Sequence, residues 1–152
     1  MTDRFEVEIA TDIAEEYLLG ALIMQADISS VKTVKRIITH LDFQGCFQNA
    51  HPANWPRHAR VFYAITLCDR PPHEINVALK MDELGILDKN DCAHLVRFVR
   101  VTPCALDYMD YANAVKQYSV QRQVKYHAGA GNYQKLNQLT QSVKYTGGVE
   151  GL

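Results

Sequence analysis

The sequence lacks the motifs on which several classes of enzyme depend. It contains no Gly-Lys-Ser/Thr loop, whose backbone amides would cradle the phosphates of a nucleotide. It has no His-Glu-x-x-His helix, and its four cysteines include no Cys-x-x-Cys pair, so the close ligand pairs of a structural zinc site are missing. The sequence therefore predicts a domain that is not an enzyme and that binds no cofactor and no metal.

A strong charge of one sign and a long apolar run are also absent. The formal net charge is -1, so the chain as a whole is not attracted to nucleic acid or to an anionic membrane. No apolar run approaches the roughly 18 residues that a membrane-spanning helix needs, and none follows a basic start as in a signal peptide. These absences predict a cytoplasmic protein that has no membrane partner.

The apolar residues that are present recur at helical spacing, and no segment has the alternating period of a β-strand. The chain has 152 residues, of which 47% are hydrophobic, enough for one domain with its own core. We expect an all-α fold, with a small six-helix orthogonal bundle followed by a C-terminal helical hairpin. The bundle is assigned to residues 1–104, the hairpin to 105–146 and the start of a linker to 147–152.

Caps and breakers predict where the first two helices lie. Asp12 and Glu15 have the spacing of a capping box that would start the first helix, so residues 1–11 are expected to form an extended or frayed arm. Residues 27–30 are expected to break the chain and to supply capping groups. A second helix is then expected to run as far as Leu41.

Prolines and glycines delimit the next three helices. The third is expected to start near Trp55 or Pro56 and to stop before Pro71. The fourth is expected to end at Gly85 in a left-handed cap, and the fifth to be closed off by Pro103. We expect the fourth helix to bury an apolar face formed by Ile75, Ala78, Leu79 and either Met81 or Leu84.

A helical hairpin is predicted at the end of the chain. The segment from Leu106 to His127 has no strong breaker and would make a helix of roughly 33 Å. A tight turn is expected at 129–131, and a last helix at 133–145. Apolar stripes mark both arms, and their residues are the candidates for a protein interface: Tyr108, Tyr111, Val115 and Tyr118 on the first arm, and Leu136, Leu139 and Val143 on the second.

Two interpretations of the tyrosine stripe stay open at this point. The tyrosines would serve equally well to pack the hairpin onto the bundle or to form a subunit interface, where a large ring with a polar tip is favoured. The hairpin itself favours a subunit interface, because a pair of helices has too small a core to bury two apolar faces.

The basic and histidine side chains are interpreted as structural or solvent-exposed groups in preference to functional ones. His58 is expected to be structural. A set of basic residues in the second and third helices is interpreted as a solvated face in preference to a nucleic-acid patch, given the neutral charge balance; it comprises Lys32, Lys35, Arg36, Arg57 and Arg60.

Five ordered segments together resemble the N-terminal domain of the DnaB-type replicative DNA helicases. They are Ala14-Glu15 with Leu19-Gly20-Ala21, Asp42-Phe43, His58 ahead of Val61-Phe62, Leu84-Gly85-Ile86-Leu87, and Thr102-Pro103-Cys104-Ala105 leading to Tyr111-Ala112 and Val115-Lys116. The chain departs from the family in its longer segment 44–57, which holds the single tryptophan, and in Cys104, where the family often has serine. The last helix matches weakly.

The resemblance implies a domain that hydrolyses nothing itself. Its hairpins would pair between subunits as a dimer or higher oligomer, build a collar on a hexameric helicase, and leave a docking surface for primase and the helicase loader. DNA would be contacted only through a motor domain further along a longer chain, and the glycine-rich end of this sequence has the character of a linker to it. Two alternatives stay open: a helicase-binding domain of a primase or a phage or plasmid mimic of it, and a small all-α nucleic-acid-binding module.

Overall fold

The computed structural model describes residues 4–129, 131 and 138. Within these residues every regular element is helical, which confirms the all-α prediction. Three short 3-10 turns lie between the longer helices, at His40–Asp42, Pro52–Asn54 and Ala105–Asp107. The described α-helices are α1 (Arg4–Gln25), α2 (Ile28–Lys35), α3 (Arg57–Leu67), α4 (Glu74–Glu83), α5 (Asp91–Val101) and α6 (Tyr108–Gly129). None of the helices in the described part combines the length and apolar character needed to span a membrane.

The core is organised around α1, which packs along α5 and α6 and also contacts α2 and α3. Its residues Leu18, Leu19 and Leu22 are completely buried. They belong to one apolar cluster that includes Phe62 of α3 and Phe98 of α5. The first helix is therefore the central element of the bundle, against which the other helices are assembled.

Gly20 allows α1 to cross α5 at very short range. A Cβ atom at this position would lie 1.9 Å from Oγ1 of Thr102 and 2.1 Å from the carbonyl oxygen of Phe98. The Thr102 hydroxyl occupies this crossing, 2.7 Å from the Phe98 carbonyl and 3.3 Å from the Tyr17 carbonyl. The helix crossing thus requires the absence of a side chain at residue 20.

The first helix starts earlier than the sequence predicts. Because α1 begins at Arg4, the prediction of an extended or frayed arm at residues 1–11 is wrong over residues 4–11, which are helical. The physical reason is that Glu15 does not form a capping box with Asp12. Its carboxylate accepts a hydrogen bond from the Gln44 amide at 2.8 Å and contacts the His58 imidazole. Asp12 and Glu15 are two carboxylates on one helical face.

The second helix is shorter than predicted. Asp27 caps it as expected, with Oδ1 accepting from the Ser29 amide, but α2 ends at Lys35 and not at Leu41. A capping box shortly after α2 explains the early end. Thr39 accepts a hydrogen bond from the Leu41 amide, and Asp42 accepts one from the Thr39 amide, so the chain starts a new turn.

The fourth helix buries a different face from the one the sequence predicts. Val77 and Met81 are completely buried, whereas Ile75 is 67% exposed and Leu79 is 62% exposed. The expected burial of Ile75 and Leu79 is therefore wrong, while Met81 is confirmed. Both faces of α4 carry apolar residues, and the contacts with α3 and α5 decide which one is buried.

This assignment of faces predicts opposite outcomes for two alanine substitutions in α4. Leu79→Ala is expected to change the free energy of unfolding by less than about 0.5 kcal/mol, because the side chain is already in water. Met81→Ala is expected to cost about 2–5 kcal/mol, because it leaves a cavity in the core. Urea unfolding measures both, and equal losses would contradict the assignment.

A buried ion pair fixes the start of α5 against α3. Asp91 is 0% exposed and Arg60 is 6% exposed. Two nitrogens of Arg60 lie 2.6 and 3.3 Å from the Asp91 carboxylate, and Arg57 donates a third hydrogen bond to it at 2.8 Å. Arg60 also donates to the Trp55 and Ile86 carbonyls. This cluster joins α3, α5 and the loop between α4 and α5.

The predicted division at residues 104 and 105 does not coincide with a break in the core. Ala112 and Val115 of α6 are buried in the same apolar cluster as α1. The start of α6 is thus the sixth helix of the bundle, and its later turns are the first arm of the predicted hairpin. The second arm and the linker assigned to 147–152 lie outside the described residues, apart from Gln138, so these assignments stay predictions.

Candidate interaction surface

The first apolar stripe of the predicted hairpin faces the bundle. Val115 is 1% exposed, so its side chain is part of the internal core and is not accessible to a partner in this conformation. Tyr108, Tyr111 and Tyr118 are half-buried and pack against the core cluster. The Tyr111 ring meets the Tyr17 ring edge to face at 5.5 Å. Within one chain, these tyrosines therefore pack onto the bundle, which is the first of the two interpretations.

The second apolar stripe belongs to the predicted last helix. Leu136, Leu139 and Val143 lie outside the described residues, and their role in an interface stays a prediction. The turn between the arms is partly described: the Gly131 amide donates to the Ala128 carbonyl at 3.2 Å, and Gly131 has φ of +75°, which favours glycine.

A polar cluster around Asp42 ties α6 to the loop that follows α2. The Asp42 carboxylate is almost fully buried. It accepts hydrogen bonds from the Ser119 hydroxyl at 2.7 Å and from Lys116 at 3.4 Å, while Arg122 donates to the Asp42 carbonyl at 2.6 Å. Arg122, which interrupts the apolar stripe in the sequence, thus orients α6 on the bundle.

Beyond this anchor α6 leaves the core. Its last buried residue is Val120, although the helix continues to Gly129, which adds about 14 Å at 1.5 Å per residue. Tyr126 in this extension is 72% exposed. The end of α6 therefore forms an arm that carries a large aromatic side chain into solvent.

Glu15 and His58 form a second buried polar link, between α1 and α3. Glu15 is 1% exposed, and its Oε1 lies 2.7 Å from Nδ1 of His58. Burial and, secondarily, the charge of Glu15 raise the pKa of the nearby Cys46 thiol to about 11, so that thiol is neutral at physiological pH. The expectation that His58 is structural agrees with these contacts, but no local pattern indicates its partner Glu15, which lies 43 residues away.

The basic residues interpreted as a solvated face divide into two groups. Arg57 and Arg60 are both engaged with Asp91, so they are not part of a solvated face. Lys32 and Lys35 on α2, and Arg36 immediately after it, are all exposed, in line with the prediction. Because two of the five cations are engaged by the internal carboxylate of Asp91, fewer basic side chains are available for a nucleic-acid patch.

The single tryptophan, in the segment where the chain departs from the helicase family, is also used internally. Trp55 is 8% exposed, stacks on His40 at 4.4 Å and meets Tyr63 edge to face at 5.3 Å. Its indole N–H donates to the Ala50 carbonyl at 3.1 Å. Burial of His40 in this stack lowers the pKa of its imidazole, an effect that the nearby Asp42 opposes.

Together these features define an all-α bundle built around one central helix, with a long helical arm extending from it. Among solved structures, the chain is similar to the N-terminal domain of DnaB helicase from Mycobacterium tuberculosis, with a TM-score of 0.63 and 20% sequence identity over 92% of this chain and 96% of that one. No protein-family model and no curated protein matches the chain. The predicted resemblance is thus confirmed in the fold.

Proposed function

We propose that the chain is an oligomerisation and partner-docking domain of a replicative DNA helicase. In this proposal the hairpins of several copies pair to form the N-terminal collar of the helicase ring. The domain catalyses nothing and binds no cofactor. Its partners are other copies of itself, a primase and a helicase loader in the cytoplasm, and it reaches DNA only through a motor domain of the same protein.

The observation that carries the proposal is the helical arm that leaves the bundle. The first turns of α6 are held by buried Val115 and by the Asp42 cluster, whereas none of the described residues after Val120 is buried. An isolated pair of helices buries too little apolar surface to be stable alone. Pairing with the arm of a second copy would cover Tyr126 and the apolar residues predicted for the second arm. The fold likeness to a helicase domain, together with the ordered motifs, supports placing this pairing in a helicase.

Substitutions in the second arm test the pairing without disturbing the bundle. Leu139→Asp is expected to dissociate the oligomer, because it places a charge in the predicted apolar seam. Gln138→Asp is the matched control. The Gln138 side chain, next to Leu139 in the sequence, is exposed, so we expect this substitution to leave assembly unchanged. Multi-angle light scattering over a concentration series measures both masses.

Two outcomes would count against the proposal. One is a monomer at every concentration for the unsubstituted chain, and the other is identical assembly of the two variants. Circular dichroism melts accompany the experiment, since a variant that has lost its bundle would report on folding and not on pairing.

A further inference from the structure

A cavity of about 370 Å³ opens between α1 and α3, beside the link between Glu15 and His58. It is lined by residues from α1, α3 and the segment before α3: Asp12, Glu15, Gln44, Pro56, Arg57 and His58. Three of these residues offer metal-ligating atoms that lie within 4.8 Å of one another, namely Asp12, Glu15 and His58. The described residues contain no other group of this kind.

We propose that Asp12, Glu15 and His58 bind a divalent transition-metal ion, and that Zn²⁺ is the best fit. One imidazole and two carboxylates form a mixed nitrogen and oxygen donor set, which Mg²⁺ and Ca²⁺ do not favour and Zn²⁺ accepts. Three protein ligands leave a fourth position for water, for which the open cavity provides the space. The proposal does not depend on the function proposed above.

The geometry of Glu15 supports this assignment. Its Oε2 is already oriented by the Gln44 amide at 2.8 Å, which leaves Oε1 directed at the His58 ring, 2.7 Å from Nδ1. A metal ion would replace the proton shared by these two atoms. At ligand distances of about 2.0–2.1 Å and a tetrahedral angle, the two atoms need to be about 3.3 Å apart, so a shift of roughly half an ångström suffices. The Gln44 amide is then the outer-shell hydrogen bond that such a ligand needs.

The other two ligands can make this small adjustment. Asp12 lies one helical turn before Glu15 on the same face of α1, and it is exposed, so its side chain is free to turn toward the ion. His58 retains 18% of its side-chain exposure, and its ring packs against Phe98 edge to face at 5.4 Å, which limits it to a short movement. A metal ion here would clamp α1 to α3.

The charge balance also favours a cation. The cavity contains two carboxylates and an imidazole. Arg57 lines it too, but its guanidinium is directed to the Asp91 carboxylate at 2.8 Å and to the His94 ring at 3.0 Å. The Arg57 guanidinium is thus engaged by neighbouring groups, and the two carboxylates of Asp12 and Glu15 outnumber this one cation that lines the cavity.

Cobalt titration of the tag-free, chelator-stripped protein tests the proposal. We expect one equivalent of Co²⁺ to produce d–d absorption bands with no thiolate-to-cobalt band, Zn²⁺ to displace it, and either metal to raise the Tm. Asp12→Asn is expected to weaken the affinity about tenfold or more without loss of fold. Asp110→Asn, at an exposed carboxylate on α6, is the matched control and should bind like the parent protein.

Three results would overturn the metal site. They are an absence of d–d bands at millimolar Co²⁺, a thiolate band showing that cysteines hold the metal, and equal affinities of the Asp12→Asn and Asp110→Asn variants. Asp12 is the one exposed ligand of the three. His58→Gln therefore provides a second test, at a ligand that is more buried. It should abolish binding while its circular dichroism spectrum remains helical, and retained binding in this variant would also refute the proposal.

Discussion

Gly20→Ala is expected to destabilise the domain by about 3 kcal/mol, among the largest effects of any single methyl group in this chain. The added Cβ would overlap both the Thr102 hydroxyl and the Phe98 carbonyl. The hydroxyl could rotate away, but the backbone of α5 cannot, so α1 and α5 have to separate along one of the two largest helix contacts of the core. The loss is measured as a lower midpoint of urea unfolding.

Gly129→Ala is the matched control for this prediction. No atom lies within 4 Å of a Cβ built at Gly129, and alanine is the better helix former, so stability should be unchanged or raised by up to about 1 kcal/mol. The double variant Gly20→Ala, Thr102→Ala should recover only a part of the loss, because the Phe98 carbonyl remains. Full recovery, or a Gly20→Ala variant as stable as the parent, would contradict the crossing geometry.

Asp91→Ala is expected to cost about 3–5 kcal/mol, because it leaves the buried Arg60 cation without its partner. The same change also removes acceptors for Arg57 and for the Asp88 amide. The exposed Asp82 provides the control, since Asp82→Ala removes a carboxylate from α4 that has no buried partner. Chemical denaturation at neutral pH compares the two, and similar losses would argue against a structural role for the ion pair.

The stabilisation by Asp91 should also depend on pH. Burial alone would raise the pKa of Asp91, but hydrogen bonds from Arg60, Arg57 and the Asp88 amide, together with the charge of Arg60, lower it below its ordinary value of 3.8. A carboxyl whose pKa is lower in the folded state stabilises the fold fully above its unfolded pKa, and loses this contribution as the pH falls through the folded pKa. The difference in stability between the parent protein and Asp91→Ala should therefore shrink below about pH 4, and a constant difference would contradict the assignment.

Helix positions were predictable where backbone chemistry sets them. Pro56 immediately precedes α3, Gly85 adopts φ of +72° just after α4, and Pro103 follows the end of α5, all as their residue types require. The start of α1 was predicted wrongly because the spacing of Asp12 and Glu15 is compatible with two different structures. Nothing local distinguishes a capping box from a pair of side chains that serve a distant partner.

Tertiary contacts could not be predicted in the same way. The apolar residues of α4 cover more than one face, and periodicity alone does not say that Val77 and Met81 are inside while Ile75 and Leu79 are outside. The partners of Glu15 and Asp91 lie 43 and 31 residues away along the chain. Their roles as buried links, and the cavity beside Glu15, follow from how the helices pack, which no local pattern encodes.

In the proposed function, the helical arm after Val120 serves assembly. Sedimentation equilibrium of the unsubstituted chain over a range of concentrations measures this assembly. The proposal predicts a mass that rises with concentration from 17.2 kDa toward an integral multiple of that value. A mass that stays at 17.2 kDa up to the highest concentration attainable would contradict it.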